Sequence, residues 1–133
     1  MIRAQLPQNI YHRVLNEARD SPEAEICGLI SAHQHTPVRC YSITNAHPRP
    51  ASAFDMAAGE LVCALRHMRE QGEQLWAIYH SHPQGPGTPS SRDIAECGYP
   101  ETLHLVITPH LEPPLHAWRY AGQDTMPVRL EIV

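Results

Sequence analysis

Two histidines and an aspartate at short spacings are the residues of this chain best suited to do chemistry. His80 and His82 stand two residues apart at the end of an apolar segment, and Asp93 follows after a turn rich in glycine and proline. Because side chains alternate along a strand, the two imidazoles point to the same side. Two imidazoles and one carboxylate are the ligand set of an open catalytic zinc site, which keeps its fourth position for water.

Two further residues have both a structural and a chemical interpretation. Ser90 lies three residues before Asp93, which is the spacing of a capping box at the start of a helix, and its hydroxyl could also stabilise an oxyanion. Glu25 heads an apolar strand. It is either a solvated strand end or the general base that a zinc hydrolase needs near its metal.

The elements that must position these residues alternate between helices and short apolar strands. We predict helices over 8–19, 56–71 and 91–98, and strands over 25–32, 37–44, 75–80, 103–108, 115–120 and 128–133. The first two strands form a hairpin, and 75–80 is the central strand. Helices mixed with hairpin strands favour an α/β, mixed α+β fold in which one curved, mixed sheet is flanked by helices.

Composition and charge argue against several other classes of protein. The length of 133 residues suits one domain, 1–133, and 42% hydrophobic residues predict a folded core. Asp and Glu number 14 against 10 Lys and Arg, so we expect no nucleic-acid partner, which would need a basic face. No apolar run reaches the roughly 18 residues of a membrane span, and residues 1–10 lack a signal sequence, so we expect no membrane partner and a cytoplasmic location.

The remaining cysteines, histidines and tryptophans suggest ordinary structural roles. The four cysteines form no Cys-x-x-Cys pair, so we expect small buried residues, with Cys27 singled out for its position near Glu25. The other eight histidines lack the spacing of metal ligands, so we expect them to be ordinary polar residues. His47 is the exception to watch, because it lies in the loop of residues 45–54. Trp76 and Trp118 lie in strands and are expected to be core or half-buried aromatics rather than substrate platforms.

Together, these motifs resemble the JAMM (MPN-plus) metalloprotease family. The family pattern is a glutamate in an early Glu-x-x-Gly strand, then His-x-His-Pro, then Ser-x-x-Asp. The chain has Glu25-Ile-Cys-Gly28, then His80-Ser-His82-Pro83, then Ser90-Ser-Arg-Asp93. The resemblance covers nearly the whole chain and implies the MPN/JAB fold, which is cytidine-deaminase-like.

The resemblance implies a zinc metalloprotease with one zinc ion per chain. By this likeness, His80, His82 and Asp93 bind zinc, Glu25 holds the attacking water and acts as general base, and Ser90 helps to stabilise the tetrahedral intermediate. Bound zinc lowers the pKa of a water ligand toward about 7 and polarises the scissile carbonyl.

The implied reaction is hydrolysis of a peptide or isopeptide bond, often just after the C-terminal Gly-Gly of a ubiquitin-like protein. The minimal length resembles the stand-alone prokaryotic members, some of which remove a cysteine or another extension from sulfur-carrier proteins. Residues 45–54 are either a wall of the substrate channel or a plain proline-bearing connection. An exposed strand edge could bind the substrate tail or a second copy of the chain, so a homodimer stays open.

Two other functions compete with the peptidase interpretation. The first is a non-catalytic MPN scaffold or assembly partner, which would be expected to lack the metal ligands, whereas all five motif positions are filled here. The second is a cupin-type metal protein built on His-x-His. It would need a downstream glutamate and a further histidine on strands, whereas the third ligand candidate here is an aspartate at a helix start.

Overall fold

A computed structural model describes residues 3–133 of the chain. In chain order, the elements of these residues are β1 (Arg3–Leu6), α1 (Gln8–Arg19), β2 (Cys27–His33), β3 (Thr36–Ile43), α2 (Ala58–Glu70), β4 (Gln74–Ser81), α3 (Ser91–Ala95), β5 (Leu103–Ile107), β6 (Leu115–Ala121) and β7 (Asp124–Ile132). The strands form one sheet in the order β1-β7-β6-β5-β4-β2-β3. The β4–β5 and β1–β7 pairs are parallel, and the others are antiparallel. The predicted mixed sheet with flanking helices is confirmed.

The first strand, β1, is missing from the sequence prediction. It has four residues, too few to show an alternating pattern. Its partner is β7 at the other end of the chain, with Arg3 opposite Arg129 and Leu6 opposite Ile132. A strand that depends on a partner so distant in sequence leaves no local signal.

Several predicted boundaries also differ from the structure, and the largest difference is the start of β7 at Asp124 rather than 128. The helix α2 begins at Ala58 rather than 56, because Asn45 and Met56 form an isolated antiparallel bridge that keeps residue 56 extended. The helix α3 ends at Ala95 rather than 98. The strand β2 begins at Cys27, so Glu25 precedes the strand instead of opening it.

The two longer helices cover opposite faces of the sheet. Along β4, Ala77 and Tyr79 belong to the core cluster that also contains Val14 of α1. The intervening Ile78 belongs to the cluster that contains Met68 of α2. Because both faces of β4 are covered, its apolar run is continuous rather than alternating. His80 follows Ile78 in this alternation, so it points to the face covered by α2.

Among the helices of residues 3–133, none combines the length and the apolar character that crossing a bilayer requires.

Candidate metal centre

The carboxyl end of β4 presents both histidines of the motif. His80 is paired with Cys27 of β2 on one side and with Val106 of β5 on the other. His82 lies just beyond the strand, where its amide donates to the Ile107 carbonyl over 2.9 Å. The two side chains point to the same side, and their Nε2 atoms are 3.1 Å apart. Rigid strand pairing therefore fixes the position of both imidazoles.

Asp93 completes a triangle of potential ligand atoms. Its Oδ2 lies 3.0 Å from His80 Nε2 and 3.1 Å from His82 Nε2. All three side chains are nearly inaccessible, with exposed fractions of 1%, 8% and 7% for His80, His82 and Asp93. Around a tetrahedral zinc ion, neighbouring ligand atoms are about 3.3 Å apart. The triangle is slightly tighter than this and fits such an ion.

The protonation of His82 suits metal binding. Its Nδ1 lies 2.8 Å from the Pro86 carbonyl oxygen, and a carbonyl can only accept a hydrogen bond. A neutral His82 therefore carries its proton on Nδ1 and directs the lone pair of Nε2 toward the other ligands. A hydrogen bond from the second ring nitrogen is the usual way to orient a metal-binding histidine.

Asp93 takes part in the capping box that the sequence predicts. The Ser90 amide donates to Asp93 Oδ2 over 2.8 Å, and the Ser90 hydroxyl accepts from the Asp93 amide over 3.0 Å. Burial alone would raise the pKa of the Asp93 carboxyl, but its contacts with His80, His82 and the Ser90 amide hold that pKa well below its usual range. The cap therefore presents an ionised carboxylate, and it places Ser90 next to the ligand oxygen.

Glu25 lies beside the triangle and is 6% exposed. Its amide donates to the Pro50 carbonyl over 2.7 Å, and its carbonyl accepts from Asn45 Nδ2 over 3.0 Å. Its Oε1 atom and His80 Nδ1 have no hydrogen-bond partner among the described residues. Ligand atoms of Glu25, His80, His82 and Asp93 all lie within 4.8 Å of one another. The buried carboxylate oxygen is thus free to bind a water or an ion at the cluster.

Burial also changes the acidity of Glu25. Removal from water raises its pKa from 4.5 to about 7, and the nearby charge of His82 acts in the opposite direction. The buried carboxyl group therefore gives up its proton less readily than the carboxyl group of an exposed glutamate.

The loop between His82 and Ser90 is fastened to β6 and to residue 110. Trp118 Nε1 donates to the Gly87 carbonyl over 2.8 Å, and the His110 ring contacts the Gly85 carbonyl over 3.1 Å. A Cβ atom on Gly87 would overlap the His116 ring. Trp118 is half-buried, which agrees with the prediction of a core or half-buried aromatic, but the sequence did not indicate this contact. The signal in the sequence is the pair of loop glycines, which mark close approaches of the backbone.

The segment 45–54 contacts both Glu25 and His80. Asn45 Nδ2 donates to the carbonyls of Glu25 and Ala53, each over 3.0 Å. The Phe54 ring stacks on the His80 ring, with centroids 4.5 Å apart and an angle of 24° between the planes. This segment is therefore more than a plain connection, because it supports two residues of the cluster. The sequence prediction did not identify the role of Phe54.

Cys27 and the remaining histidines lie outside the cluster. The Cys27 thiol is buried and donates to the Ile43 carbonyl over 3.4 Å. Burial raises its pKa to about 12, so it stays a thiol. Within residues 3–133, the group of side chains able to hold a metal contains no histidine other than His80 and His82. His47 lies at the edge of the site, 3.5 Å from Arg92 Nη1.

Comparison with known proteins agrees with this geometry. The model of the family described as prokaryotic homologs of the JAB domain matches residues 7–121. A desampylase from Haloferax volcanii is 25% identical over 122 residues, covering 87% of this chain and 88% of that protein. A CysO-cysteine peptidase from Mycobacterium tuberculosis is 30% identical over 121 residues, covering 90% of this chain and 79% of the relative.

A solved structure shares the fold. It is described as JAMM, a metalloprotease-like zinc site in the proteasome and signalosome, and it superposes with a TM-score of 0.62. The match covers 100% of this chain and 99% of that chain at 15% sequence identity. The family match and this likeness of fold agree with the motif resemblance, and the chain belongs to the family of prokaryotic homologs of the JAB domain.

Proposed function

We propose that the chain is a zinc-dependent metallopeptidase that hydrolyses a peptide-type bond after the C-terminal Gly-Gly of a ubiquitin-like or sulfur-carrier protein. The observation that carries this proposal is the convergence of one buried carboxylate, Glu25, on the triangle of His80, His82 and Asp93 within 4.8 Å. Three ligands with an adjacent carboxylate are the arrangement of a catalytic rather than a structural zinc site.

The roles of the residues follow from their contacts. His80, His82 and Asp93 would hold the ion through atoms that already lie 3.0 to 3.1 Å apart. Bound zinc would supply Lewis acidity, which makes water a nucleophile near neutral pH and polarises the scissile carbonyl. The unpartnered Oε1 of Glu25 accepts a proton from the attacking water and returns it to the leaving amine. A bound cation lowers the pKa of Glu25 and keeps it ionised before the reaction.

Ser90 has the position for a second catalytic role. Its Oγ accepts a hydrogen bond from the Asp93 amide, and its own hydroxyl proton remains able to donate. We infer that this hydroxyl stabilises the developing oxyanion, an inference supported by the contact of the Ser90 amide with Asp93 Oδ2.

The names of two relatives support the substrate class. The haloarchaeal relative is named a desampylase, and the mycobacterial relative is named a CysO-cysteine peptidase. From these names and the motif resemblance, we infer a thin, flexible protein tail as the substrate. A Gly-Gly end carries no side chains, so it can approach a site whose ligands are more than nine-tenths buried.

The decisive experiment measures zinc content and cleavage on the same preparations. The wild-type protein is expected to hold about one zinc per chain and to cleave a sulfur-carrier protein extended past Gly-Gly. The variant Glu25→Gln should keep its zinc and lose about 100- to 10,000-fold in kcat/KM, because it lacks the base and retains all three ligands.

The exposed Glu23, two residues earlier in the chain, provides the matched control. The variant Glu23→Gln should cleave at the wild-type rate. Cleavage by Glu25→Gln at the wild-type rate would remove Glu25 from the mechanism. A wild-type protein that holds no zinc after refilling would instead favour the non-catalytic scaffold.

A further inference from the structure

A pocket of about 260 Å³ opens directly beside the metal cluster. Two cluster residues, His80 and Asp93, form part of its wall. The other inner walls consist of apolar and aromatic side chains from the segment before α2, from α2 itself and from the sheet: Phe54, Met56, Leu61, Ile78 and Tyr120. A group held in this pocket would therefore be in contact with two metal ligands.

Two stacked rings also line the pocket. The rings of His104 and Tyr120 lie parallel, with centroids 4.0 Å apart and an angle of 4° between the planes. The far wall is formed by the chain around α3, including Cys97 and Tyr99. A cavity of about 150 Å³ can hold benzene, so this pocket has room for one large side chain but not for a folded tail.

We propose that this pocket binds the side chain of the residue on the amine side of the scissile bond and that the enzyme prefers a bulky apolar residue there. The inference rests on the proposed function. On the acyl side, the Gly-Gly end has no side chain to fill a pocket. The nearest side chain belongs to the residue that leaves as the amine, and its Cα is bonded to the scissile nitrogen.

The shape of the pocket favours an α-linked extension over an isopeptide. In an isopeptide, the scissile nitrogen is followed by the narrow methylene stem of a lysine, which must continue outward to the backbone of another protein. The pocket is lined by Ile78 and Tyr120, so a lysine stem that entered it would have to turn back toward the opening to reach its own backbone. A side chain branching from Cα can end inside the pocket.

Charged residues at the rim of the pocket also restrict which type of side chain can bind there. Asp55, Glu96 and Arg92 are exposed at the edge of the pocket. Two carboxylates against one guanidinium leave the rim net negative, and the interior offers mostly hydrophobic walls. An acidic side chain is therefore disfavoured, and leucine or phenylalanine is favoured.

The test uses a bacterial sulfur-carrier protein extended past Gly-Gly by one residue: Phe, Leu, Ala or Glu. The zinc-loaded enzyme is expected to cleave the Phe and Leu forms with kcat/KM about 10- to 100-fold above the Ala form and further above the Glu form. Equal rates for all four would overturn the pocket assignment and leave the proposed function standing. Cleavage of none would overturn the proposed function and this inference with it.

Two neighbouring residues of α2 can show whether the preference for a bulky apolar residue arises in this pocket. Leu61 lines the pocket, whereas Val62 beside it is 53% exposed. The variant Leu61→Trp should fill the pocket and reduce the ratio of Phe to Ala cleavage to near one, while Val62→Trp should keep the wild-type ratio. If circular dichroism shows that Leu61→Trp is not folded, Leu61→Ala replaces it and should lower the same ratio. A wild-type ratio in a folded, zinc-loaded Leu61 variant would contradict the proposal.

Discussion

Trp118 and Gly87 are joined by a hydrogen bond that ties the sheet to the loop between the proposed metal ligands. The indole Nε1 of Trp118 on β6 donates to the Gly87 carbonyl over 2.8 Å, across 31 positions of sequence. The same loop supplies the Pro86 carbonyl that orients the His82 ring. The bond therefore acts on the metal centre through the backbone, without contact between Trp118 and any ligand.

Removing this bond should weaken zinc binding without unfolding the protein. The variant Trp118→Phe keeps an aromatic ring and loses the N–H donor, so the loop is less well fixed and zinc affinity should fall about 10-fold. Affinity is measured by competition with a chelator. The matched control is Trp76→Phe on β4, which should bind zinc as the wild type does. Equal affinity in the two variants would show that the loop is held by its other contacts.

Asp93 should contribute more to zinc binding than any residue that only supports a ligand. The variant Asp93→Ala removes the oxygen that faces both histidines, so zinc affinity should fall by more than about 100-fold, the upper range for loss of a supporting residue. The variant Asp124→Ala, at the start of β7, serves as the control. Full zinc occupancy of Asp93→Ala in the presence of chelator would remove Asp93 from the ligand set.

Gly28 is required for the close packing of β2 between β3 and β4. A Cβ atom at this position would overlap the Tyr79 hydroxyl and the Tyr41 carbonyl. The hydroxyl cannot easily move, because it donates to Glu17 over 2.8 Å. The variant Gly28→Ala should lower the free energy of unfolding by about 3 kcal/mol, or Tm by about 10 °C. Gly59, where a Cβ meets nothing within 4 Å, provides the control. A Tm for Gly28→Ala equal to that of Gly59→Ala would contradict this account.

His104 should make the protein sensitive to mild acid. It is 4% exposed, and burial lowers its pKa from 6.5 to about 4. The unfolded chain binds a proton near pH 6.5 and the folded chain does so only near pH 4, so stability falls as the pH drops between these values. Across this range the free energy of unfolding falls by about 3 kcal/mol. Above pH 6.5 His104 is neutral in both states and contributes no pH dependence.

A pair of variants isolates this effect from titration of the metal ligands. The free energy of unfolding of the zinc-free protein is measured in urea at pH 7 and pH 4. It should fall less between these pH values for His104→Leu than for the wild type. For the variant His12→Leu, at an exposed position on α1, the free energy of unfolding should fall as much as it does for the wild type. If the free energy of unfolding falls by the same amount in all three proteins, His104 is not the cause of the acid sensitivity.

The proximity of the candidate site residues follows from local rules that can be read in the sequence. Alternation along a strand places His80 and His82 on one side, and capping-box spacing holds Asp93 at a helix start. Each relation spans only a few residues, so neither depends on knowing the rest of the fold. Glu25 needs the motif resemblance, because its approach to the cluster depends on the distant pairing of β2 with β4.

Contacts between distant parts of the chain could not be predicted in this way. The stacking of Phe54 on His80 and the bond from Trp118 to Gly87 join segments whose separation carries no periodic pattern. The strand β1 is similar, because it exists only through its pairing with β7. In each case the backbone topology must be known before the side-chain contact can be inferred.

The parallel pairing of β4 and β5 has a consequence for how such an enzyme can change. Parallel neighbours must be joined by a crossover, and here that single crossover carries Asp93 in its middle and the far wall of the pocket just after it. The contacts of Trp118 and His110 hold the first half of this crossover, while the residues after Asp93 line the pocket. A change confined to the stretch after Asp93 would therefore alter one wall of the pocket and leave the triangle of His80, His82 and Asp93 in place.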